Sequence, residues 1–198
     1  LANAAMVAGS TLRGFGLDAS EMGRVTDVMA SSFTKSALDI ENFRESMKYV
    51  APIAAKTGVS VEFATAMLGK LADAGIKGSQ AGTSLRRVLT EMAKTGKPAK
   101  EAFDQVAKSG ISVTDAMDEV GRTAQTALLV LSDTKDEVLE LSDALEDAGG
   151  AAQKMADEQL KSLDGQLTLL TSAWDGFILS LNKGDSAISR VLGNLVNL

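Results

Sequence analysis

Acid clusters and a glycine-rich run are the parts of this sequence that could do chemistry. The acids group as Asp115, Asp118 and Glu119, as Asp136, Glu137 and Glu140, and as Asp143, Glu146 and Asp147. Two carboxyl groups flanking a glycosidic bond can cleave it, one as general acid and the other as base or nucleophile, which would make the chain a cell-wall hydrolase. That chemistry also needs a sugar groove, usually faced with aromatic rings. With one Trp and one Tyr, the sequence does not furnish one, and acids at these spacings fall on solvated helix faces.

The run Ala74-Gly75-Ile76-Lys77-Gly78-Ser79-Gln80-Ala81-Gly82-Thr83-Ser84, followed by Leu85-Arg86-Arg87, invites a phosphate-binding reading. A nucleotide phosphate loop requires a preceding strand and a Gly-Lys-Ser/Thr sequence, and neither is present. Gly75-Ile76-Lys77-Gly78 fits a GxxG clamp on single-stranded nucleic acid better, with Lys77, Arg86 and Arg87 as its cations. Such modules lay their helices on a sheet, however, and no stretch here alternates convincingly with period two. The competing reading is a tight turn between two helices, where small residues let backbones approach closely.

What is missing excludes more than what is present. The chain has no His and no Cys, so it lacks the usual ligands of zinc and most transition metals. Ser/His/Asp and Cys/His nucleophilic sites, disulfides and thiol chemistry are excluded with them. We therefore expect no enzyme activity, no catalytic residue, no metal site and no cofactor. A net charge of −6 and a pI near 4.8 provide no basic face for a phosphate backbone, so stable nucleic-acid binding is not expected. No run of about 18 apolar residues spans a bilayer.

The elements around these residues read as helices almost throughout. Hydrophobic residues make up 45% of the chain but aromatics only 4%, so the core must come from Ala, Leu, Val, Ile and Met, which suit close helix packing. Ile40, Phe43, Met47, Val50 and Ala54 form one apolar stripe at helical spacing, and Leu85, Val88, Leu89 and Met92 form another. A corner device recurs at Gly16-Leu17-Asp18, Gly58-Val59-Ser60 and Gly110-Ile111-Ser112. In each, a glycine closes one helix in the left-handed conformation, an apolar residue tucks inward, and a polar residue can accept from the amides opening the next helix.

The sequence thus predicts helices over 2–14, 19–34, 39–57, 60–74, 79–95, 98–109, 112–131, 134–147, 150–182 and 186–197. Pro52 is expected to kink the third of these, while Pro98 suits a first turn. The fold class is all-α: a multi-helix bundle of short Gly-capped helices over 1–131, then a helical extension over 132–198 with a long heptad-patterned C-terminal helix. Ala156, Leu160, Leu163, Leu167, Leu170, Trp174, Phe177 and Leu181 step by four and three, which marks a seam for a partner helix. The partner can be the chain's own bundle or, by self-association, a second chain. Because the sequence opens on Leu1 and stops on an apolar periodic stretch, we read both regions as parts of a longer protein.

Three stretches carry a resemblance. Gly16-Leu17-Asp18-Ala19-Ser20-Glu21 leading to Gly23-Arg24-Val25, Met47-Lys48-Tyr49-Val50-Ala51-Pro52-Ile53-Ala54, and Gly75-Ile76-Lys77-Gly78-Ser79-Gln80-Ala81-Gly82-Thr83 with Leu85-Arg86-Arg87 resemble signature stretches of phage tail tape-measure proteins. The run from Asp143 through Ala151, Met155 and Leu163 to Trp174 is similar to that family's downstream part. The resemblance implies a structural component of a phage or prophage tail, present in the virion and in the host cytoplasm during assembly. It implies a ruler with several copies side by side in the tube, a role in tail length determination and tail assembly, and departure ahead of the genome during delivery. The implied partners are the tail tube protein, tail-assembly chaperones and tail-tip proteins.

Such a ruler meets a physical tension in this sequence. As one helix, 198 residues would reach about 300 Å, whereas a compact domain of that length has a radius of gyration of about 16 Å. The Gly-capped corners favour the compact form. Gly16, Gly58, Gly75 and Gly110 are therefore candidate hinges at which a bundle could open.

Overall fold

The computed structural model describes residues 2–109 and 119–161. Among them lie α1 (Ala2–Phe15), α2 (Met22–Lys35), α3 (Ile40–Thr57), α4 (Val61–Asp73), α5 (Gly78–Lys94), α6 (Ala99–Ser109), α7 (Glu119–Asp133) and α8 (Lys135–Glu146). A 3₁₀ turn at Ala19–Glu21 leads into α2, residues 151–161 are helical, and no described residue is in a strand. The chain divides into a unit spanning Leu1–Gln153 and a second beginning at Lys154. Of the second unit, the described residues 154–161 form helix with a mostly exposed surface.

The first unit is built around α4. Every residue from Val61 to Gly69 is buried, along with Leu71 and Ala72, so this helix reaches solvent only in its last turn, at Lys70 and Asp73, and α2, α3, α5, α7 and α8 pack about it. A helix that is apolar on most of its surface belongs in the middle. Its neighbours are amphipathic and present Val25, Val28, Phe43, Val50, Leu85, Leu89, Leu131 and Leu145 to the shared core. Edge-to-face ring pairs, Phe33 with Phe43 and Phe63 with Phe103, join α2 to α3 and α4 to α6 at centroid distances of 5.9 and 5.6 Å.

The glycine corners form as the sequence predicts at two of the three places. At Gly58, φ is +68°, the Val59 amide reaches back to the Ala54 carbonyl at 3.0 Å, and the Ser60 hydroxyl accepts from the Phe63 amide at 3.1 Å. Gly16 also has φ +68°, with the Leu17 amide on the Leu12 carbonyl at 3.0 Å. Asp18 departs from expectation there, because its side chain caps nothing. The intervening 3₁₀ turn supplies the acceptor instead, as the Glu21 amide bonds the Asp18 carbonyl at 3.0 Å. Gly110-Ile111-Ser112 lies outside the described residues.

α3 runs through Pro52 and ends at Thr57. α8, which the sequence reading assigned to the extension, packs on α4 with Val138, Leu141, Ser142 and Leu145 buried. Its stripe covers one flank of α4, and that pairing is invisible when each helix is read alone.

Candidate functional site

Chemistry-bearing residues converge most closely where the Gly75–Thr83 segment meets α3. α4 ends in a left-handed corner: Gly75 has φ +83°, and the Ile76 amide returns to the Leu71 carbonyl at 2.8 Å. Gly78, at φ +57°, opens α5 directly against α3, with its carbonyl accepting from the Ser46 hydroxyl at 2.8 Å. One turn later, a Cβ on Gly82 would lie 2.7 Å from the Ser46 carbonyl oxygen, 2.9 Å from the Ser46 Cα and 2.9 Å from a Tyr49 ring carbon. The glycine spacing therefore sets a close helix crossing, and α3–α5 is the most extensive helix pair of the fold. On the opposite side of α3, a Cβ on Gly14 of α1 would sit 2.7 Å from that of Ala51. The α3 helix is thus gripped between two small-residue contacts.

The cations of the nucleic-acid reading are not gathered into a clamp. Lys77 lies near enough to Asp39 to help hold its carboxyl below the usual range, behind the larger effect of the Asn42 amide donating to it. Arg87 approaches Glu91 at 3.7 Å. Arg86 lines a shallow surface groove with Lys48, Tyr49, Pro52, Ile53 and Lys56.

Acids from two of the clusters, Glu137, Asp143 and Glu146, form ion pairs at the bundle surface with lysines of other helices. Glu137 accepts from Lys70 at 2.8 Å, and this bond raises the Lys70 pKa. Asp143 and Glu146 hold Lys100 at 2.8 and 3.4 Å, raising its pKa, mainly through Asp143. Asp104 lies between Lys108 at 2.6 Å and Lys135 at 2.8 Å, and their hydrogen bonds lower its carboxyl to about 2. Buried Glu62 of α4 is paired with Arg24 of α2, whose pKa is raised, first by its bond to Glu21 and then by Glu62. Asp115 and Asp118 lie outside the described residues. Within those residues, no acid group is placed to hold a metal ion, and no helix is long and apolar enough to cross a membrane.

A profile of phage-related minor tail proteins matches residues 1–167. The chain belongs to that family. This minor tail protein is 31% identical to the tape measure protein of Pneumococcus phage Dp-1 over 96% of its own length and 20% of that relative's. It is 40% identical to the probable tape measure protein of Escherichia phage P2 over 48% of its length and 12% of that relative's. The chain therefore spans a fifth or less of either relative, and no solved structure matches it. The tape-measure resemblance read from the residues is borne out by these matches.

Of the candidate hinges, Gly16, Gly58 and Gly75 sit at left-handed corners of the minor tail protein with open space around the Cβ position. Gly110 is not among the described residues. From the heptad seam, Leu160 is described and exposed; Leu163, Leu167, Leu170, Trp174, Phe177 and Leu181 lie outside the described residues. Sequence reasoning missed Asp27 of α2, whose carboxylate accepts from the amides of Gly150 and Ala152, each at 2.9 Å. Its partners are over a hundred positions away, and no local pattern signals them.

Proposed function

We propose that the chain is a structural, non-catalytic segment of a tail tape-measure protein, taking part in tail length determination, tail assembly and genome delivery. The observation that carries this reading is the identity with the Dp-1 tape measure protein across 96% of the chain. An all-helical build fits it, because helix length scales with residue number at about 1.5 Å per residue. The tail tube protein, tail-assembly chaperones and tail-tip proteins are the expected partners, in the virion tail and, during assembly, in the host cytoplasm. The seam from Leu160 to Leu181 is a surface for a helical partner, self-association included.

The bundle is the assembly-stage form under this proposal, and it opens at Gly16, Gly58, Gly75 and Gly110 when the chain extends. Alanine at Gly16, Gly58 and Gly75 would weaken each corner by about 1–2 kcal/mol through its left-handed backbone alone. Normal tails from a triple variant whose domain stability is unchanged would end the hinge reading. The ruler reading is tested by duplicating the segment in frame and measuring tails by electron microscopy. Tails should lengthen by about 300 Å if the copy extends as one helix and by a small fraction of that if it stays folded. Assembled tails of unchanged length would refute a part in length determination.

A further inference from the structure

α8 and the helix at 151–161 are separated by Asp147-Ala148-Gly149-Gly150. Gly150, the residue before the second helix, has no side chain to accept from the opening amides. The acceptor is Asp27 of α2, which takes the Gly150 amide on Oδ2 and the Ala152 amide on Oδ1, each at 2.9 Å. Between them, the Ala151 amide donates to the Ala148 carbonyl at 2.9 Å. An uninterrupted helix would direct the Gly150 and Ala152 amides to the carbonyls four residues back, those of Glu146 and Ala148. Asp27 competes for the same two donors, with the added strength of a charged acceptor. In the bent corner a Cβ on Gly149 or Gly150 would meet nothing within 4 Å, so crowding does not require glycine at either position. Gly150 itself sits at φ +79°, a conformation glycine tolerates and a helix does not need.

We infer that Asp27 is a latch that keeps this corner bent, and that its withdrawal lets α8 and the following helix join into one. When α2 leaves the corner, the two amides return to carbonyls four residues back, and a helix runs over 135–161, about 40 Å long. The displacement of one bundle helix is thereby converted into axial length in another. The inference draws on the ruler reading for its purpose alone; the latch belongs to the chain and is tested without a phage, so either can fail separately.

The test is NMR on the full chain, following amide exchange at Gly150 and Ala152 and ¹³Cα shifts through 147–150. In Asp27→Ala, exchange at both amides should quicken by about tenfold or more, while α4 amides keep their protection. Adding Gly149→Ala and Gly150→Ala, which together favour helix by about tenfold or more, should give helical shifts without a break from 135 to 161. Unchanged exchange in Asp27→Ala, or non-helical shifts at 148–150 in the triple variant, overturns the latch. If Asp27→Ala costs α4 its protection, Asp27→Asn decides. Its single carbonyl oxygen should preserve one of the two amides and release the other, and protection kept at both overturns the latch equally.

Discussion

Gly82→Ala should destabilise the bundle although it places a better helix former in the middle of a helix. The new Cβ would stand 2.7 Å from the Ser46 carbonyl oxygen and 2.9 Å from the Ser46 Cα, where such atoms settle at about 3.5 Å. Both are backbone atoms and cannot rotate away, so α3 and α5 must part locally by about 0.6–0.8 Å. Overfilling of this kind costs about 1–3 kcal/mol. The Ser46 hydroxyl bond to the Gly78 carbonyl, 2.8 Å long, stretches with it and forfeits up to about 1 kcal/mol. Helix propensity returns about 1 kcal/mol, which leaves a net loss of up to about 3 kcal/mol. For a domain of this size that lowers Tm by up to about 12 °C. Gly23→Ala is the matched control: it lies in α2 with no neighbour within 4 Å and no positive φ, and should stabilise by up to about 1 kcal/mol. Urea and thermal melts followed by far-UV circular dichroism compare the two. A Gly82→Ala chain that gains as much stability as Gly23→Ala would refute the close-crossing argument.

Ser60→Ala should cost about 1 kcal/mol, because it frees the Phe63 amide at the start of the central helix. Asp18→Ala, at a position of similar sequence signature whose side chain caps nothing, should stay within about 0.5 kcal/mol of the parent in the same denaturant melts. Asp104 predicts a pH signature. Lys108 and Lys135 hold its carboxyl down to about 2, so its contribution is complete above the ordinary carboxylate pKa near 4 and disappears as pH falls through about 2. The stability difference between the parent and Asp104→Asn should be flat above about pH 4 and close towards about pH 2; a difference that persists at the acid end would reject the assignment.

Much of the fold was legible because its signals are local. Helical periodicity located α3 and α5 to within a residue or two, and the Gly58-Val59-Ser60 corner could be read down to its capping hydroxyl. Gly75 to Thr83 was legible as a close-approach turn because glycine density has few structural uses. One failure is local and the others are contacts between distant positions. Asp18 looked like a cap but yields to the 3₁₀ turn that follows it. Nothing near Asp27 announces that it closes a helix over a hundred residues downstream. α8 carries an amphipathic stripe that identifies a buried face without naming the helix that buries it, so assigning it to the bundle required the α4 surface. The acids of α8 read as solvated charge and are largely exposed; what the sequence did not signal is that Glu137 and Asp143 each meet a lysine of another helix.

The burial of α4 along most of its length bears on how such a unit can let go. Because five helices share that one surface, lifting any of them wets a helix built almost wholly of apolar and small residues, and each further departure finds less left to hold it. Loss of structure should then be cooperative, with a threshold below which the domain resists and above which it releases its whole length at once. A chain organised in this way would act less like a spring than like a catch.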